Sequence, residues 1–325
     1  MASSFTHHDG HNLRTGLNEA MAIPRAATAP DSDPWSAFWS TAELHGSVAS
    51  FPASARDAIE ARWKTFFRSV DSDARVLDIG CGKGAVLSYA QEAGHPDDLL
   101  VGVDRVAASV ISGAGFDLQG GIDAANLPFA DQAFQCVVSQ FGIEYACLPG
   151  AIREAARVCS VSMLLLVHAK DGVVYRQALE QEGQIEWIAR ELELFGRART
   201  HFSIASAQSA ADMEALLRAL VDQAEAAENV SLLEGVYRSL LDLQDCADPL
   251  SGLAALEREL IAHQRRMRAM IAAAPDAASM DALPETLRQL GFIASIENTD
   301  DGADRIGRWI AAYRLMANNG EGAKK

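Results

Sequence analysis

Asp78 stands two residues ahead of three glycines at alternate positions, Gly80, Gly82 and Gly84, in the stretch RVLDIGCGKGAVLSYA that runs from Arg75 to Ala90. Glycines placed this way after an apolar run let a ligand approach the main chain where a Cβ would block it, and a helix that follows presents free backbone N–H groups. By its glycines alone, Gly80-x-Gly82-x-x-Ala85 satisfies a loose dinucleotide fingerprint. The carboxylate points elsewhere: it suits a ligand bearing an ammonium group better than a pyrophosphate.

Two further carboxylates follow their own apolar runs. LLVGVDR carries Asp104 and Arg105, and GGIDAANLPFADQAFQCVVSQFGIEY carries Asp123 and Ala124 before it closes another run at Gln140 and Phe141. Singly, each Asp reads equally well as a turn or cap residue; as an ordered set they resemble the class I S-adenosylmethionine-dependent methyltransferases. VLDIGCGKG is similar to that family's first motif, with Lys83 where Ser or Thr is more usual. The resemblance implies S-adenosylmethionine as cofactor and S-adenosylhomocysteine as product. It gives Asp78, Gly80, Gly82 and Gly84 to the methionine end, Asp104 with its neighbour Arg105 to the ribose, and Asp123 with the Ala124 N–H to the adenine. It also makes Leu127, Pro128 and Phe129 a pocket wall and sets Gln140 and Phe141 beside the methyl group. No metal is implied.

Open α/β sheets bind ligands outside the carboxyl ends of their strands. That rule nominates Glu144 and Tyr145, after the fourth strand, and His168, ending the fifth, as acid–base candidates for an acceptor that must lose a proton. A lone His beside LLLV also reads as a core residue, and Glu144 as the cap of a turn.

Short apolar runs alternating with helical segments from Arg75 to Ala169 predict a parallel α/β sheet. By the family likeness this becomes a Rossmann-like, seven-stranded, mostly parallel sheet with helices on both faces. The expected division is a flexible arm at 1–32, a helical and aromatic lid at 33–70, the cofactor-binding core at 71–170, a helical insertion after the fifth strand at 171–290, two last strands at 291–318 and a tail at 319–325. Trp35, Trp39 and His45 read as lid or as core packing. His7, His8 and His11 read as a solvated tail or, less simply, a metal site. The stripe Leu253, Leu256, Leu260, Met267 and Met270 offers a face for a homodimer, although it is short for a coiled coil.

A net charge of -16 across 325 residues opposes nucleic acid and anionic membranes, despite a local cluster at Arg265, Arg266 and Arg268. Five scattered cysteines without a C-x-x-C pair, and the lack of a long apolar run, suggest a reduced cytoplasmic protein with no membrane partner. The expected activity is methyl transfer to an oxygen or nitrogen of a small organic metabolite. A binding or scaffold domain that keeps the same fold, a protein or RNA methyltransferase, and an NAD-dependent oxidoreductase are the rivals.

Overall fold

A computed structural model describes residues 34–49, 51–111, 115–204 and 206–315. The expected arm and tail, with His7, His8 and His11, lie outside them. Two segments precede the sheet: α1 (Ser36–Thr41) and α2 (Ala53–Ser69). Then β1 (Val76–Ile79), α3 (Ala85–Glu92), β2 (Leu100–Asp104), α4 (Ala108–Ile111), β3 (Asp117–Gly120), β4 (Phe134–Gln140), α5 (Leu148–Val158) and β5 (Cys159–Val167) alternate as expected. Five helices follow: α6 (Val173–Arg190), α7 (Leu194–Ser203), α8 (Ala207–Glu225), α9 (Ser231–Gln244) and α10 (Pro249–Ala273). The chain closes with α11 (Ala277–Gln289), β6 (Phe292–Asp301) and β7 (Asp304–Arg314).

The seven strands order as β3-β2-β1-β4-β5-β7-β6. β1 pairs in parallel with both β2 and β4, and β7 runs antiparallel between β5 and β6. β1 is buried along its whole length, as the unbroken apolar run requires of a strand covered on both faces. One face carries α5 and α11 on Leu77, Val137, Leu165 and Ile310; the other carries α2 and α3 on Val76, Val138 and Leu166. The order reverses between β1 and β4, which makes their carboxyl ends the crevice of the sheet.

The helical stretch divides differently from the expected 171–290. Met280, Leu283 and Leu287 of α11 sit in the core beneath the sheet, so this helix belongs to the α/β layer. The insertion proper is closed at its neck, where the Lys170 N–H donates to the Pro275 carbonyl at 3.4 Å. It has its own core, built on Leu194, Leu216, Leu233, Val236 and Leu240. Leu253, Leu256 and Leu260 are buried in that core, and Met267 is buried as well. Leu253, Leu256 and Leu260 of the stripe read as a possible dimer face are therefore spent inside the chain, with α10 packed on α6 and α9, while Met270 is half-buried at the cleft. Among the described residues no helix is long and apolar enough to cross a membrane, and all five cysteines are free thiols.

Candidate active site

The crevice at the carboxyl ends of β1, β2, β4 and β5 opens into a cavity of about 1460 Å³ that reaches up to the insertion. Its floor is the glycine turn. Gly80, Gly82 and Gly84 have φ of 70°, 50° and 85°, a left-handed run that only glycine adopts without strain. Gly80 also lies against Gly142, whose Cα is 2.6 Å from where a Gly80 Cβ would stand, so β1 and β4 meet there backbone to backbone.

Asp78 is 1% exposed, and among the described residues neither of its carboxylate oxygens has a partner. Burial, and after it the charge of Asp104, hold its carboxyl well above the usual carboxylate range. An orphaned buried carboxylate is costly unless something arrives to satisfy it. An ammonium group is such a donor, and the residues present fit S-adenosylmethionine in this respect.

Asp104 braces the turn: its Oδ2 accepts the Gly82 N–H at 2.9 Å and its Oδ1 the Val106 N–H at 2.9 Å. Asp104 lines the cleft, as does Arg105. Asp123 is exposed and accepts the Ala125 N–H at 2.9 Å; it lines the cleft with Ile122 and Ala124. The expected wall of Leu127, Pro128 and Phe129 does not form. Leu127 is buried in the core below the sheet with Phe129 packed against it, because Arg157 turns their loop inward by donating to both carbonyls.

At the end of β4, Gln140 Oε1 accepts the Trp63 indole N–H at 2.6 Å, and Gln140 Nε2 donates to the Ser47 hydroxyl at 3.3 Å. Phe141 has a φ of 52° and stacks on the His168 ring with centroids 4.3 Å apart. Tyr145 and His168 line the cleft. The Tyr145 hydroxyl and His168 Nδ1 are buried without partners, and burial pushes His168 down to about 3, so its ring is neutral at pH 7. Glu144 stands behind them. Its Oε1 accepts the backbone N–H of His168 at 3.0 Å, it is absent from the cleft wall, and burial pushes it up to about 7. That bond holds the backbone of His168 at the end of β5.

The segment before the core closes over the turn. Trp39 packs on the glycine loop, where a Cβ on Gly82 would overlap its indole, and it is buried with Cys81, Val106 and Ile111. Trp35 meets Tyr145 edge to face at 5.1 Å and lines the cleft. Trp39 and Trp35 share one packed cluster, and both line the cleft. His45 faces Tyr89 instead, at 3.4 Å from its hydroxyl.

The insertion supplies cleft residues that the sequence reading missed: Gln181 from α6, and His263, Arg266, Met267 and Met270 from α10. The basic cluster was visible, but its partition was not. Arg268 pairs with Glu182 at 2.7 Å and Arg265 is exposed, whereas Arg266 lines the cleft.

A seven-stranded sheet in this order, with a glycine turn and acidic strand ends at its switch point, defines the Rossmann-like fold of the class I S-adenosylmethionine-dependent methyltransferases. Residues 77–166 match the family model described as a methyltransferase domain, a likeness confined to the part of the α/β core that runs from β1 to β5. Among solved structures, magnesium protoporphyrin IX methyltransferase from Synechocystis PCC 6803 is 12% identical over 87% of this chain and 93% of its own, with a TM-score of 0.43. A possible histamine N-methyltransferase from Thermotoga maritima is 10% identical over 81% and 91%, with a TM-score of 0.40. The chain spans 59% of the length of a Bacillus halodurans protein, at 20% identity over 38% of its own residues and a TM-score of 0.31. Such values concern fold and say nothing of substrate. No curated protein matches the chain significantly.

Proposed function

We propose that this protein transfers a methyl group from S-adenosylmethionine to an oxygen or nitrogen of a small organic molecule held between the sheet and the insertion. The observation that carries this reading is Asp78, a buried carboxylate with no partner of its own, beside a glycine turn that leaves the main chain open. When bound, S-adenosylmethionine supplies an electrophilic methyl on a sulfonium that becomes neutral as it leaves. The chain's part is alignment and exclusion of water.

Asp78 takes the ammonium, Asp104 the ribose hydroxyls and Asp123 the adenine amino group, with the Ala124 N–H towards the ring. Gly80, Gly82 and Gly84 let the methionine lie against the backbone, and Gln140 and Phe141 border the methyl. Trp35, Trp39 and the insertion keep water from the reacting centre. His168, unpartnered at Nδ1 among the described residues, accepts the acceptor's proton as a weak base, since burial disfavours the imidazolium it becomes, with Tyr145 beside it and Glu144 holding its backbone.

Calorimetric titration with S-adenosylhomocysteine and, in parallel, NAD tests the reading. Binding of the former alone supports it and justifies an acceptor screen with labelled methyl donor. Binding of NAD alone overturns it, and binding of neither favours a scaffold role.

A further inference from the structure

Arg266 is a half-buried cation that lines the cleft. Among the described residues its one hydrogen bond runs from Nη2 to His263 Nδ1 at 3.0 Å, and its guanidinium carbon lies 5.9 Å from the Phe38 ring centroid. No carboxylate among the described residues comes within ion-pair distance of it. Burial lowers Arg266 to about 10, with Glu259 opposing the shift, so the group is still charged at neutral pH. Its orientation is fixed from a second helix. Because Nδ1 of His263 accepts, Nε2 carries the proton, and it donates to Gln181 Oε1 at 2.8 Å.

This brace leaves one face of the guanidinium usable. The two hydrogens of Nη2 point along different edges of the fork, and His263 takes only one of them. The other edge therefore remains complete for a bidentate partner, the arrangement that matches a carboxylate. Glu259, on the same helix and close enough to act on Arg266, weakens the field and disfavours a dianion such as phosphate.

Aromatic and thioether side chains line part of the cleft beside this cation. Phe38 meets Trp35 at 5.6 Å, Trp35 meets Tyr145 at 5.1 Å, and Met267 and Met270 flank Arg266 on α10. α10 itself rests on the Ile143–Tyr145 turn, so the roof and the reacting end belong to one compartment.

We propose that the methyl acceptor is a small carboxylate with an apolar body, its anionic end held by Arg266, an inference that rests on the methyl-transfer reading above. The test is calorimetry on the full chain, with and without saturating S-adenosylhomocysteine. The probes are benzoate, phenylacetate, 4-phenylbutyrate and 1-naphthoate, each against its own primary amide, with inorganic phosphate as a separate arm.

At least one carboxylate should bind roughly tenfold or more tightly than its amide, as the loss of a charged bidentate pair implies. Arg266→Met should abolish that preference. The inference is overturned if no carboxylate outbinds its amide, if the preference survives Arg266→Met, or if phosphate binds more tightly than every carboxylate. The wild-type comparison stands even where the variant folds poorly. Because S-adenosylhomocysteine is titrated separately, its failure to bind counts against the cofactor reading, while equal binding of carboxylate and amide counts against the anion site.

Discussion

Glu144 Oε1 accepts the backbone N–H of His168 at 3.0 Å while its Oε2 has no partner, so a single buried carboxyl fixes the end of β5 and remains half unsatisfied. Burial pushes it from 4.5 up to about 7. The folded protein thus holds this proton more tightly than the unfolded chain does. Stability contributed here is full below about pH 4.5 and falls as pH rises through about 7. At about 1.4 kcal/mol per pH unit the loss is on the order of 3 kcal/mol. Glu144→Gln keeps the acceptor oxygen and removes the titration. Its urea unfolding free energy should equal wild type near pH 5 and exceed it at pH 8; parallel curves across that range would refute the assignment.

Asp78 presents the opposite bargain between stability and binding. Its buried carboxyl has no partner in the ligand-free protein, so Asp78→Asn should raise the melting temperature at pH 8. The same change should weaken S-adenosylhomocysteine binding roughly 10- to 100-fold, the scale of one lost charged hydrogen bond. Titration calorimetry and a thermal shift read the two effects on one sample. A variant that is both less stable and unchanged in affinity would remove Asp78 from the site.

Gly82 is constrained twice, by a φ of 50° and by the Trp39 indole that fills the place of a Cβ. Gly82→Ala should cost about 1–2 kcal/mol for the left-handed backbone alone, and more for displacing the ring. In a Trp39→Ala background the ring term vanishes. The double-mutant cycle should therefore show a clear coupling energy, since residues in contact are not additive. Additive losses would mean that Trp39 does not rest on the turn in solution.

What could be read from the sequence was what is local in it. Asp78 and the glycines lie in one contiguous stretch, and the alternation of buried strands with helices set the order of the core before any contact was known. Gln181 and Arg266 sit on helices whose periodicity shows which face is apolar but not which polar residue faces a cavity. The bond from Gln181 to His263 spans 82 residues, and nothing in either helix announces it. The same blindness produced the misplaced dimer stripe and assigned α11 to the insertion, because an amphipathic helix looks alike whichever core it serves. Leu127 and Phe129 went to the wrong side for a different reason: Arg157, about 30 residues on, decides how their loop folds.

Trp63 is fully buried, stacks on Phe67 at 6.0 Å, meets Trp309 edge to face at 5.0 Å, and donates to Gln140 Oε1 at 2.6 Å. It joins the packing of α2 to Gln140, the residue proposed above to border the methyl group. Trp63→Phe removes the donor and part of the ring, leaving a void and an unsatisfied amide oxygen, for a loss of about 2–4 kcal/mol. Adding Gln140→Leu to that variant replaces both partners with apolar groups, which costs less than orphaning one of them. The double variant should thus be more stable in urea than Trp63→Phe alone and yet bind S-adenosylhomocysteine no better. If it instead recovers binding along with stability, Gln140 serves only to satisfy the indole, and its place beside the methyl group has to be withdrawn.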